Sequence, residues 1–206
     1  MHIFTDEPRD LRLLDLRGLT PLNPEMAAGE PELLAMIEGH NDRCGRAAAR
    51  LRQLAADRRR LSDFAACERM GGTTLLAERA RLRGESWDAL WEARHALEER
   101  EDMLQQLEHR LREQYDEAVG HHDQAVETAK RRLVKERRAL QAVNPTNAEG
   151  HFHDFVAADE SVREAARRQS AAGQALNDIA EAKRGVIADR STVTTRQREV
   201  FALLTR

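Results

Sequence analysis

The C-terminal third of the chain repeats with a period of seven, and that spacing leaves few folds open. Phe155, Val162, Gln169, Leu176, Lys183, Arg190, Gln197 and Leu204 form one row; Ala158, Ala165, Ala172, Ile179, Val186, Val193 and Val200 form a second. Two rows offset by three in a period of seven lie along one side of an α-helix and must be covered by another helix. The second row is apolar throughout. The first turns polar at Gln169, Lys183, Arg190 and Gln197, and polar seam residues weaken packing while fixing register and partner. Leu176, Ile179, Val186, Val193 and Val200 are therefore the expected contacts with a partner helix.

Composition carries the helical reading upstream. Aromatic residues make up 4% of the chain and charged residues 33%. Ala, Leu, Glu, Arg and Gln lose little freedom in a helix. A mixture so poor in aromatics suits long helices with a narrow apolar seam better than a large globular core. The expected fold is all-α: an elongated coiled-coil or helical hairpin of about three long helices behind a Pro-rich N-terminal arm.

Four segments follow. Residues 1–30 form the arm, where Pro8, Pro21 and Pro24 exclude a long helix and the leucines between them need a surface to pack on. Folding back on the chain's own helices is the simpler expectation, and docking on another subunit the sharper one. The first helix covers 31–70, with seam positions Leu33, Ile37, His40, Cys44, Ala47, Leu51, Leu54, Arg58 and Leu61. Gly71 and Gly72 end it. A long central helix over 73–143 would reach about 105 Å if unbroken. Its seam steps by elevens through Leu104, Tyr115, Val126 and Arg137, through Leu107, Ala118, Ala129 and Leu140, and through Leu111, His122 and Leu133. That period keeps a seam nearly straight or slightly right-handed. Asn144-Pro145-Thr146-Asn147 breaks the chain, and the heptad helix fills 154–206 with Asp154 as its expected cap.

Charge excludes some partners and selects others. The net charge is −3, which argues against nucleic acid as a partner by bulk electrostatics. Residues 71–129 hold 14 acidic and 7 basic residues, whereas 130–143 hold 6 basic and 1 acidic, so opposite blocks can attract one another between helices or between chains. In the basic run, Arg131, Lys135 and Arg138 line the face opposite the seam. A solvated face is the plain reading, an acidic protein partner the functional one, and an anionic membrane surface a weaker third. Trp87 and Trp91 share a face; they are either core residues or an exposed anchor for a partner.

Catalytic and metal-binding patterns are thin. Glu92-Ala93-Arg94-His95 has the spacing of a carboxylate-histidine ligand pair, yet a di-metal bundle needs a second such string, and none is present. His121-His122-Asp123 is poorly placed, because adjacent helical residues diverge by about 100°. His151 and His153 would converge on an ion only in extended backbone. Cys44 sits in the seam, where a thiol is inert. No cofactor, metal or catalytic residue is expected. The absence of a signal-like N-terminus and of a long apolar run points to the cytoplasm. The function these features support is a non-enzymatic coiled-coil assembly or adaptor protein, a homo-oligomer or a binder of helical protein partners. A membrane-surface assembly protein on anionic lipid is the alternative, and a metal-dependent helical-bundle enzyme a distant third.

Overall fold

The computed structural model describes residues 16–27, 31–62 and 71–205, and among these every regular element is helical. Two single 3₁₀ turns, Arg17–Leu19 and Pro24–Ala27, precede five α-helices: α1 Pro31–Ser62, α2 Gly72–Arg132, α3 Val134–Val143, α4 Ala148–Ala158 and α5 Glu160–Leu204. The first half of the expected arm, and the expected end of the first helix at residue 70, lie outside the described residues. Among the described residues the expected three long helices are corrected to five α-helices. Two local events account for the difference, one in each half of the expected hairpin.

The central helix breaks at Leu133, where ψ turns to 17° from the helical value near −42°. The ladder survives the break: Leu133 N–H donates to Ala129 O at 2.9 Å and Arg137 N–H to Leu133 O at 3.0 Å. The heptad helix is interrupted at Asp159, whose ψ of 133° is extended. Asp159 Oδ1 accepts from Ser161 N at 3.0 Å and Ser161 Oγ at 2.6 Å, so Asp159, and not Asp154, caps the long C-terminal helix. Asp154 lies inside α4. The extended residue resets the helical phase, which is why Phe155 and Ala158 are exposed while Phe152, Val156 and Val162 are buried.

The chain divides into two compact units. The first contains residues up to Leu104 together with Glu181–Arg206. Here α1 runs antiparallel to α2: Arg43 Nε meets Glu99 Oε2 at 3.0 Å, Arg50 pairs with Glu92, and Leu54 packs with Leu82 and Ala89. The α5 segment also lies antiparallel to α2, through the Arg190–Glu101 ion pair and the Trp87–Phe201 ring contact at 5.7 Å. Leu33, Ile37, His40, Cys44, Ala47 and Leu54 of α1 are buried, so the four-three spacing marks its covered face.

Residues 16–27 strap this unit, burying Leu16, Gly18, Leu19, Leu22 and Ala27 on the chain's own helices. Asn41 holds the strap by two bonds to Leu22, accepting from its N–H at 2.8 Å and donating to its carbonyl at 2.9 Å. Each buried leucine contributes about 1.5–3 kcal/mol, an upper range because the unfolded chain already hides part of that surface.

The second unit is Gln105–Ala180. One core cluster is Ala129, Phe152, Val156 and Val162, flanked by Ala125, Val126, Leu133 and Leu140, and Leu107, Leu111 and Ile179 are buried as well. Helix α2 lies beside α5, with Gly173 beneath the Tyr115 ring, where a Cβ would sit 3.5 Å from Cε2. The short α3 buries none of its residues.

Two glycines at the strap give opposite predictions. A Cβ on Gly18 would lie 2.8 Å from Leu97 Cδ2 and 2.9 Å from the Val186 Cα, which is backbone and cannot yield cheaply. Gly18→Ala should cost about 1–3 kcal/mol through overpacking. A Cβ on Gly185 would meet its nearest atom, Gly18 N, at 3.8 Å. Gly185→Ala should gain about 0.5–1 kcal/mol from helix propensity. Urea denaturation of both variants checks the pair of signs.

Candidate interaction surfaces

A buried ionic clamp organises the first unit. Arg100 is 1% exposed on the inner face of α2. Its guanidinium donates to the Gly18 carbonyl and, at 3.2 Å, to Asn41 Oδ1. The Gly18 N–H donates to Asp189 of α5. One strap residue is thereby held at both ends, by a cation from α2 and an anion from α5. Burial pushes the Arg100 pKa down from the usual arginine value, and an arginine guanidinium keeps its charge in proteins. Beside it, burial pushes the Cys44 thiol up, which disfavours the reactive thiolate. Burial, with help from Arg43 and Arg100, pushes His40 down, and Glu99 opposes. His40 Nδ1 and Arg100 Nε are buried without a hydrogen-bond partner among the described residues. The clamp is not evident from periodicity, although an arginine midway between Leu97 and Leu104 on the apolar stripe is a signal for it.

The expected partner-binding residues divide into covered and open sets. Ile179 is buried in the second unit, and Val186, Val193 and Val200 are buried in the first. The chain's own helices cover this seam, which the heptad spacing requires to be buried against another helix. Leu176 is half-buried. Trp87 is half-buried against Phe201, whereas Trp91 is 56% exposed beside His95. Core packing thus describes the first tryptophan and an exposed ring the second.

The basic run also divides. Lys130 pairs with Glu127 at 2.8 Å, Arg132 with Asp159, and Arg137 with Glu149 at 2.6 Å, the last guanidinium also lying 5.3 Å from the Phe152 ring centroid. The bonds from Arg137 hold the Glu149 carboxyl below its usual range, and those from Ser161, with Arg132, do the same for Asp159. Arg131, Lys135 and Arg138 are exposed and form no ion pair among the described residues, although Glu127 feels Arg131 one turn away. The unneutralised charge is therefore confined to one face, with Val134 between its members, itself 40% exposed.

The candidate ligand strings do not converge in the fold. Among the described residues no three His, Cys, Asp or Glu side chains are grouped to hold an ion. Glu92 is engaged by Arg50 and His95 lies 3.6 Å from Glu99, so the Glu92–His95 string does not converge. His151 and His153 lie within α4 and not in extended backbone, so two residues of separation turns them apart. His122 is half-exposed, 3.6 Å from its neighbour Asp123. An open depression of about 530 Å³ is lined by Arg132, Asp159, Glu160, Ser161, Glu164 and Arg167. Its arginines are already paired, Arg132 with Asp159 and Arg167 with Glu164 at 3.0 Å. No helix among the described residues is long and apolar enough to cross a membrane.

His40 gives a pH test of the clamp region. Its folded pKa lies below the unfolded value near 6.5, so the unfolded chain takes the proton more readily as pH falls. The wild type should lose stability relative to His40→Leu as pH drops from about 7.5 to 5.5, and keep a constant difference above that window. Urea denaturation of both proteins across that range measures it.

Comparison of the chain with protein-family models, with curated proteins and with solved structures finds no match.

Proposed function

We propose that this chain is a non-enzymatic assembly or adaptor protein. Its long helices pair as a coiled-coil hairpin, and it associates with a second copy or with a helix of a partner protein. One observation carries the reading: the contrast in burial between the seams of the two units. In the first unit three helices and the strap meet, and Ile37, Cys44, Leu90, Leu97 and Val193 are sealed from solvent. In the second unit Tyr115, Ala118, Val119, His122, Ala125 and Val126 of α2 and Ala165, Gln169, Ala172 and Leu176 of α5 are all only half-buried. Two adjacent helices cover one side of each other's seam and leave its flanks wet. A further helix laid along those flanks completes the packing, as a third strand does in a coiled coil.

The membrane-surface alternative rests on a different feature, the exposed Val134 among Arg131, Lys135 and Arg138. It calls for binding to vesicles containing phosphatidylserine and none to neutral vesicles.

Light scattering on the purified chain tests the assembly reading. The mass at tens of micromolar should be at least twice 23.4 kDa. Val119→Glu and Leu176→Glu place charges on the half-buried flanks and should return the mass toward that of one chain. A monomer whose helicity and melting are untouched by both substitutions overturns the reading.

A further inference from the structure

The unpaired cations of the second unit continue a face that is acidic one stretch earlier. Eighteen residues make five complete turns of an α-helix, so Glu113 and Arg131 share one azimuth. Lys135 lies past the changed torsion at Leu133, but Leu140 of α3 still packs on the core of α2, so Lys135 too lies on the side away from that core. Arg138 falls within the same stripe, together with Asp116 and Asp123. The hydrogen-bond ladder runs through Leu133, so the face continues from α2 into α3. Every residue of this stripe is exposed, and the core of the unit lies on the opposite side, at Ala129, Leu133 and Leu140.

The acids are as poorly neutralised as the bases. Among the described residues Glu113 is paired only with the His109 imidazole, at 3.5 Å, and Glu117 only with that of His121, at 3.9 Å, and neither meets a lysine or arginine. Asp116 has no ion pair among the described residues, and Asp123 has His122. Between the two patches the exposed positions Gly120, Gln124 and Thr128 carry no charge, and Glu127 is neutralised by Lys130.

A stripe with acid at one end and base at the other is complementary to itself turned around. We propose that two copies of this chain dock antiparallel along this stripe, about a two-fold axis near residues 125–127. Glu117 of each copy then faces Lys135 of the other, Glu113 faces Arg138, and Asp123 lies within a turn of Arg131. Gly120, which has no side chain, and the short Thr128 let the two helices approach closely on either side of the axis, and Gln124 puts a neutral amide between them. The parallel arrangement sets like charges together and is disfavoured. This interface rests on the self-association reading and adds to the half-buried flanks a second surface, on the outer face, that orients the other copy.

The full-length chain provides the test. The dimer dissociation constant should rise about tenfold or more between 50 and 500 mM salt, as the screening length shortens. Arg131→Glu/Lys135→Glu/Arg138→Glu and Glu113→Arg/Asp116→Arg/Glu117→Arg should each be monomeric with unchanged helicity, and an equimolar mixture of the two should form a heterodimer. Zero-length carbodiimide coupling should join Lys135 to Glu113, Asp116 or Glu117. Within one copy Lys135 and Glu117 are about 27 Å apart along the helix, so that link forms only between copies. If the dimer withstands both charge reversals but yields to Val119→Glu, the stripe is wrong and the assembly reading stands. If the chain is monomeric at low salt, both fall.

Discussion

Arg100 sets the terms for the first unit. A guanidinium at 1% exposure is costly to bury unless its donors are used and its charge is answered. Here the answer comes through the backbone of one residue. The Gly18 carbonyl takes the cation's hydrogen bond while the Gly18 N–H gives one to Asp189, so α2, the strap and α5 are joined at a single residue. Asn41 adds α1, accepting from Arg100 and gripping Leu22. Three helices and a strap are fixed in register by groups that leucines alone would not distinguish. A purely apolar seam tolerates sliding by a heptad; a buried cation with one acceptor geometry does not. His40 and Cys44 border the clamp and inherit its dryness, which is the common cause of their opposite displacements.

The second unit has no such clamp among its described residues and is built more thinly. Its polar interactions are peripheral: Arg132 with Asp159, Arg137 with Glu149, Lys130 with Glu127. Exposed pairs of this kind contribute roughly 0–1 kcal/mol each, so the unit depends on the cluster around Ala129, Phe152, Val156 and Val162. Along α2 between Tyr115 and Val126 the apolar positions are half-wet. The proposed role in assembly places the partner where the chain itself supplies least cover, and the charge stripe on the outer face gives a second copy an orientation.

Much of the helical plan was legible in the sequence. The four-three steps from Leu33 to Leu54 coincide with the buried face of α1, including His40, because a seam position is covered whatever residue occupies it. Pro145 ends α3, with Asn144 already out of the helical conformation before it, at ψ 83°, since the proline ring disfavours the helical region there. The prolines of the arm likewise limit it to single 3₁₀ turns in its described part. Other features were not legible. The interruption at Asp159 falls in a stretch where the heptad counting runs on unbroken, since a single extended residue leaves the spacing of apolar letters intact while turning the following helix. The break at Leu133 needs one changed torsion and no special residue.

Local propensity and periodicity along the chain are enough to make it helical, to place its apolar stripes and to segregate acid from base. Which stripes are spent inside the chain depends on how the helices pack. Val186, Val193 and Val200 form a seam whose covering helix is unassigned until α5 is seen against α2 and the strap, and the outer face of Arg131, Lys135 and Arg138 stands out as unpaired among the described residues once the other three bases find acids. Gly18 is an ordinary turn glycine in the sequence and a filled contact in the fold. The physical reason is common to all three: periodicity fixes the direction in which a side chain points, whereas burial and pairing depend on what the rest of the chain brings to that place.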